Sequence, residues 1–400
     1  MSIKFLKTWS KQNEKDQDEI LEILDSSHFK TRRYDKLFDF TSISFQCSFG
    51  LKNQKIQNAL KKQIDRNIIS TPNFYTKQQN ILSEKLIDLI NINGKIFYTT
   101  SGAESVSNAI KILRSATGKK LIYSVKKSYH GSTNEALEVT GDWRRENHQL
   151  PKNNHRWLPD PIDDPDFSQS FKILESNKQN LCGLIIEPTS GKNGVYTPSG
   201  RWWRGMNKAK KILGFKLIVD EVICGFYRTG KPFGFQNFKV TPDAVCMAKA
   251  ISGGFVPFGA VFFRELSIKC FDKKVLSAGL TNYAHPLGVS AALSILKILN
   301  SAIFKKTFSS NLKIIKSFHH NMSNDFLIRS HGMLLAIELN RPLPKSIFFN
   351  LGLSVILNEN MLILAPPLNC PPKLLSKNLN KIEKIIKKEM RPKNVFQKTG

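Results

Sequence analysis

The sequence predicts an α/β fold, with a mostly parallel sheet in a large helix-covered domain and a small α/β domain after it. Three observations predict it. Short apolar runs bounded by Gly and Pro recur through the middle of the 400-residue chain and read as buried strands. Helical segments separate several of these runs, the alternation that builds a parallel sheet. Two of the runs end on chemistry-bearing residues, Lys216-Leu-Ile-Val-Asp220-Glu221 and Pro242-Asp-Ala-Val-Cys-Met-Ala-Lys249. In open α/β sheets, ligands sit just beyond such carboxyl ends.

The elements follow in order. Residues 1–35 read as a polar, partly helical arm. Gln54 to Asn67 has helical periodicity, with Ile56, Leu60 and Ile64 on one face, and Gln78 to Ile92 repeats it with Leu82, Leu86 and Leu89. Lys95 to Thr100 is a strand, Ser101 to Glu104 a turn, and Ser107 to Leu113 a helix. Further strands are expected at Leu121 to Ser124, Leu184 to Glu187, Leu217 to Asp220, Ala244 to Ala248 and Ala260 to Phe263. Asp142 to Gln169, rich in Pro, Asn and Asp, reads as a long surface loop, a feature that is often functional. Pro286 to Leu299 forms a helix leading out of the sheet. Ile328 to Leu339, Leu353 to Leu357 and Leu362 to Leu364 build the small domain, which a basic helix from Leu374 to Lys388 closes. The expected division is an arm and small-domain segment at 1–50, a large domain at 51–300 and a small domain at 301–400.

Composition narrows the function classes. Sixty Lys and Arg against 32 Asp and Glu give a net charge of +28. Such an excess ordinarily points to nucleic acid or an anionic membrane. Here it is spread along the whole chain with no dense basic block and no recognition motif, so no nucleic-acid partner is expected. The six cysteines show no CxxC pair and no Cys/His zinc spacing, which fits a reduced, cytoplasmic setting without a metal. Met1 to Ile20 carries no apolar signal segment. Gly253 to Phe263 is too short to span a bilayer and contains Pro257, so no membrane partner is expected.

Several short segments carry chemistry. Ser101-Gly-Ala-Glu-Ser105 lies between a strand and a helix. Gly102 permits a tight turn, and helix-start N–H groups attract phosphate; alone, the segment reads equally as a helix cap. Tyr129-His130-Gly131 places an aromatic after a strand, either to stack on a flat ring or to pack on the core. Asp220 needs a partner if it is buried: a pyridinium N–H, Arg228, or a helix cap. Lys249 among apolar neighbours has a depressed pKa and a nucleophilic amine, unless it snorkels to solvent. An amine able to form a Schiff base, beside a carboxylate able to hold a pyridine nitrogen protonated, suits pyridoxal 5'-phosphate. In Thr281-Asn-Tyr-Ala-His285-Pro286, the threonine binds phosphate or makes a local turn bond.

The order of these segments resembles the class III (subgroup II) aminotransferases of fold type I over roughly residues 35–370. It does so most specifically in Leu217 to Gly230 and Pro242 to Val261. The resemblance implies a mostly parallel seven-stranded sheet and a pyridoxal-phosphate cofactor. It implies Lys249 as the Schiff-base lysine and proton shuttle, and Asp220 as the partner of the pyridine nitrogen. Val222 is implied under the ring and Tyr129 over it. Ser101, Gly102 and Ala103 are implied at the phosphate, with His130 and Glu187 among the cofactor contacts. Thr281 matches a threonine that reaches the neighbouring subunit's phosphate, which implies a homodimer. Gly-Asp-Trp-Arg-Arg145 and Val256-Pro-Phe-Gly-Ala resemble the ω-aminotransferases that use pyruvate with taurine, β-alanine or similar amines.

One departure bears on the substrate. Ile363 and Ile356 stand where family members place a carboxylate-binding arginine, leaving Arg144, Arg145, Arg329 and Arg341 as replacements. The expected activity is amino transfer from an amine or ω-amino acid to a keto acid such as pyruvate or 2-oxoglutarate. An aminomutase or racemase of the same fold, and a non-catalytic binding protein, are the alternatives.

Overall fold

The computed structural model describes residues 4–13, 18–150 and 154–390. Parts of the expected arm, the tip of the Asp142 to Gln169 loop and the end of the C-terminal segment lie outside them. Among the described residues, fifteen strands form three sheets. In chain order the strands are β1 (Ile20–Ile23), β2 (His28–Thr31), β3 (Leu37–Asp39), β4 (Gly94–Thr99), β5 (Leu121–Val125), β6 (His155–Leu158), β7 (Leu181–Ile186), β8 (Lys216–Asp220), β9 (Ala244–Met247), β10 (Gly259–Arg264), β11 (Ile328–His331), β12 (Leu334–Glu338), β13 (Leu353–Ser354), β14 (Ile356–Asn358) and β15 (Met361–Leu364).

The central sheet has the order β4-β10-β9-β8-β7-β5-β6. The β6-β5-β7-β8-β9 pairs are parallel, while β10 runs antiparallel to both β9 and β4. Six strands therefore point the same way. β10 is reversed because the stretch from Met247 to Gly259 holds only a short 3-10 turn, whereas a parallel return needs a full crossover. Alternate residues face opposite sides. Leu217 and Val219 join one core with Trp202, Met206 and Ile295, and Ile218 joins another with Val106, Ile110 and Leu113. The first core lies under helices Gly200–Leu213 and Pro286–Asn300, the second under helix Gly102–Thr117.

Most expected elements are present within a few residues. Two expectations fail. The described residues before Thr41 contain no helix; they form the β1–β2 hairpin instead. The expected long loop contains β6, an edge strand whose alternation is hidden in His155-Arg-Trp-Leu158 because one edge and part of one face meet solvent. Helix Ala302–Met322, with Phe304, Phe308, Ile315 and Phe318 on its buried face, extends the C-terminal segment.

Three distant segments meet at Arg228, which is fully buried. Its Nη1 donates to the Pro366 carbonyl at 2.6 Å, and its Nη2 donates to Ser42 Oγ at 3.1 Å and Ser48 Oγ at 2.8 Å. Gly332, in the β11–β12 turn, presses on the same place. A Cβ there would lie 2.4–2.5 Å from the Thr229, Arg228 and Gly230 backbone, and its φ is +61°, so only glycine fits.

Arg228→Ala leaves buried acceptors unsatisfied and a hole among three segments, so it is expected to lower the unfolding free energy by about 3–5 kcal/mol. Urea denaturation followed by fluorescence checks this; a loss within ~0.5 kcal/mol would show that these contacts contribute little.

Candidate active site

The shared direction of the central strands brings their carboxyl ends to one edge. Ser101 follows β4, Tyr129 and His130 follow β5, Glu187 follows β7, Asp220 ends β8, and Lys249 follows β9. A cavity of about 460 Å³ opens there. Ser101, Gly102, Ala103, Tyr129, His130, Glu187, Asp220, Val222 and Lys249 all line it. Thr281 does not; within this chain it is exposed and away from the cavity.

Asp220 Oδ2 accepts from His130 Nδ1 at 2.8 Å and Oδ1 accepts from the Val222 N–H at 3.1 Å. Its partner is thus His130, not Arg228. Both side chains are buried. An ionised carboxylate only accepts, so His130 carries its proton on Nδ1; its Nε2 is buried without a hydrogen-bond partner among the described residues. The neighbouring Glu221 turns the other way and accepts from the Gly234 and Phe235 N–H groups at 2.8 Å each. Burial pushes Glu221 up to about 8. Glu187 is pushed up to about 7, first by burial and then by the charge of Asp220; Ser190 Oγ donates to it at 3.1 Å.

Lys249 is half-buried and lines the cavity. Burial, then the nearby Lys192, bring it down to about 8, with Asp220 and Glu187 opposing. Its φ is +49°, a left-handed conformation that a side-chain-bearing residue adopts at a cost in strain. The Phe45 ring lies 6.0 Å from its Nζ. Phe45 closes a turn, Ser42–Phe45, in which all four residues have positive φ, from 40° to 69°. Strain of this kind therefore occurs at two adjoining places beside the cavity.

At the other end of the cavity, helix Gly102–Thr117 begins. Ser101 Oγ accepts from the Glu104 N–H and Ser101 O from the Ser105 N–H. The Gly102 and Ala103 N–H groups keep no acceptor among the described residues, as first-turn donors do. A Cβ on Gly102 would lie 2.9 Å from Val222 Cγ1, so glycine lets the helix start abut Val222. Open helix-start donors, a buried lysine without an ion pair and a hydrogen-bonded aspartate form a donor set that fits pyridoxal phosphate.

Several cavity residues were not foreseen. Ser44, Gln46, Ile223 and Phe258 line it, and so does Lys192, whose signal was the Gly191-Lys-Asn-Gly194 turn after Glu187. Trp9 meets Tyr129 edge-on at 5.8 Å, and the Arg144 guanidinium stacks 3.8 Å above the Tyr129 ring while pairing with Asp142 at 2.6 Å. The other replacement arginines are engaged elsewhere. Arg145 lies over Trp157, Arg341 meets Glu389, and Arg329 holds the Gly194 carbonyl at 2.7 Å.

Comparison with known proteins agrees with this geometry. The model of the family Aminotransferase class-III matches residues 32–386. The acetylornithine aminotransferase of Archaeoglobus fulgidus is 31% identical over 274 residues, covering 66% of this chain and 70% of that protein. The gamma aminobutyrate transaminase 2 of Solanum lycopersicum is 31% identical over 281 residues, 62% of this chain and 61% of that protein. Among solved structures, a taurine:2-oxoglutarate aminotransferase from Bifidobacterium kashiwanohense, in complex with PLP and glutamate, superposes with a TM-score of 0.87. It is 26% identical and covers 95% of this chain and 94% of that one.

In the cofactor-free protein, Lys249 should react with trinitrobenzenesulfonate along a pH curve whose midpoint lies at about 8, because only the deprotonated amine attacks. Surface lysines should follow a midpoint near ~10.4. Peptide mapping after labelling separates the two; a Lys249 midpoint at the surface value would overturn the burial argument.

Proposed function

The chain belongs to the class-III aminotransferases and is a pyridoxal-phosphate-dependent transaminase, and from that premise we propose roles for its residues. The observation that carries them is the juxtaposition, in one cavity, of the buried Lys249 amine with the Asp220–His130 pair. When bound, the cofactor supplies an aldehyde carbon that takes up the amino group and a pyridine ring that accepts electrons. Lys249 would hold that aldehyde, release it to the donor amine and move the proton at the amine-bearing carbon. An amine brought down to about 8 is suited to both tasks near neutral pH. Asp220 holds the ring nitrogen protonated, and His130 fixes the carboxylate's orientation by occupying Oδ2. The Gly102 and Ala103 N–H groups and Ser101 hold the phosphate. Tyr129 and Val222 would cover the two faces of the ring, and Glu187 would contact it.

The donor is proposed to be an amine or ω-amino acid and the acceptor pyruvate or 2-oxoglutarate. A second copy of the chain is proposed to complete the site through Thr281. Two observations support this. Thr281 is exposed, and it lies beside a loop tied to Ala284 by Ser70 and Gln79. That loop exposes Ile69, Phe74 and Tyr75, an apolar patch of the kind that partners cover. The division at residues 50 and 300 is supported by the pairing of β3 with β13 in a sheet apart from the central one. A cytoplasmic setting is supported by six cysteines that all remain free thiols.

Absorbance spectroscopy tests the reading. The yellow colour of the loaded protein is expected to bleach with one amine among taurine, β-alanine, γ-aminobutyrate, ornithine, glutamate and alanine. It should return with pyruvate or 2-oxoglutarate. Bleaching with none of them would set the proposed donors aside. Lys249→Ala should lower turnover by more than about 10³-fold and Asp220→Asn by on the order of 10²-fold. Full turnover by Lys249→Ala would exclude the assignment. Thr281→Ala is expected to weaken retention of the cofactor, measured by dialysis, while light scattering reports a dimer.

A further inference from the structure

Amino transfer to a keto acid, the reading on which this inference rests, needs a counter-charge for a carboxylate. Ile363 and Ile356 offer none and do not line the cavity. Ile363 is fully buried and packs with Phe45, Val195, Ile223, Leu334 and Ala336. Among the replacement arginines, Arg144 is already paired with Asp142, and the other three point to contacts elsewhere.

One cation remains. Lys192 lines the same cavity as Lys249 and Asp220. Its ammonium makes no hydrogen bond or ion pair among the described residues. Its contact is the Tyr129 ring, 5.6 Å away. The backbone that carries it is held from several directions. Asn358 Nδ2 donates to the Lys192 carbonyl at 3.0 Å, and Arg329 Nε donates to the Gly194 carbonyl at 2.7 Å. The Ser190 N–H donates to the Tyr196 carbonyl at 2.8 Å, and Asn193 Nδ2 donates to the Lys127 carbonyl. Arg329 is thereby a positioning residue for this loop.

We propose that Lys192 is the substrate-specificity residue of the site: it binds the carboxylate of the substrate, while the apolar lining at Ile223 and Phe258 receives the uncharged remainder. Burial and the charge of Arg144 hold the Lys192 ammonium below its ordinary range. An incoming carboxylate relieves that penalty by supplying the missing partner. A lysine is a point charge with rotatable donors, so it fixes the position of the anion without imposing the planar two-bond geometry of an arginine.

The test uses the cofactor-loaded protein and two unreactive ligands of the same shape, propionate and neutral propionamide, in calorimetric titrations. Wild type is expected to bind propionate the more tightly. Lys192→Met should weaken propionate about 10- to 100-fold, the range of one charge-assisted hydrogen bond, and leave propionamide unchanged. Lys192→Arg should restore propionate to within about threefold. The cofactor's absorbance and the thermal midpoint should not move in either variant. Equal binding of the two ligands by wild type would overturn the proposal. So would unchanged propionate binding by Lys192→Met, or an equal loss in the Met and Arg variants. Because no turnover is read, Lys192-dependent propionate binding would stand even if every donor failed to bleach the protein, an outcome that would count against the proposed donors alone.

Discussion

The hydrogen bond between His130 and Asp220 sits at the point where this structure takes its largest electrostatic risk. Asp220, Glu187, Glu221 and Lys249 are gathered within a few residues of the same sheet edge, where water is scarce. Unpaired ions in such a place cost several kcal/mol each. The fold answers each differently. Asp220 is given two donors, Glu221 two backbone N–H groups, and Glu187 a serine hydroxyl. Lys249 is given no hydrogen-bonding partner and keeps its amine largely available. The chemistry of the site follows from that asymmetry.

The walls around this edge come from far along the chain. Phe45 arrives on a left-handed turn near the N-terminus, and Ile363 on β15. Trp9 and Arg144 bracket Tyr129 from the mouth. Lys192 and Lys249 are the cations among the cavity's described lining residues, and Val222, Ile223 and Phe258 are apolar. A site of this kind sorts substrates by which end is charged and which is not.

The cofactor-facing half was readable from the chain because it is written at strand ends. An apolar run followed by Asp220 or Lys249 fixes both the strand and the place where the side chain emerges. The antiparallel course of β10 was not readable, since apolar runs carry no direction. β6 was hidden for another reason: an edge strand with Arg156 and Trp157 at its centre lacks the alternation that marks a half-buried strand. The β1–β2 hairpin was missed because a polar surface segment shows no period. Lys192 escaped notice among 60 basic residues, because its one local signal, a glycine-flanked turn after Glu187, does not say whether the side chain is aimed into a cavity or at water. Thr281 illustrates the reverse case: it is named by order along the sequence and lies apart from the cavity of its own chain.

Arg228 carries a consequence for how the molecule comes into being. It ties residue 42 to residue 366, and the separations it closes are 186 and 138 positions along the chain. Contacts so distant in sequence form late. During synthesis the central strands emerge and pair long before the Pro366 carbonyl leaves the ribosome. Until then the guanidinium lacks an acceptor, and the turn bearing Phe45 lacks its anchor. A nascent chain therefore holds a partly built sheet with an unfinished cavity, exposed to misassembly for the time needed to translate the 138 positions from Arg228 to Pro366. Closure of the cavity therefore waits on a segment translated well after the strands that carry its reactive groups.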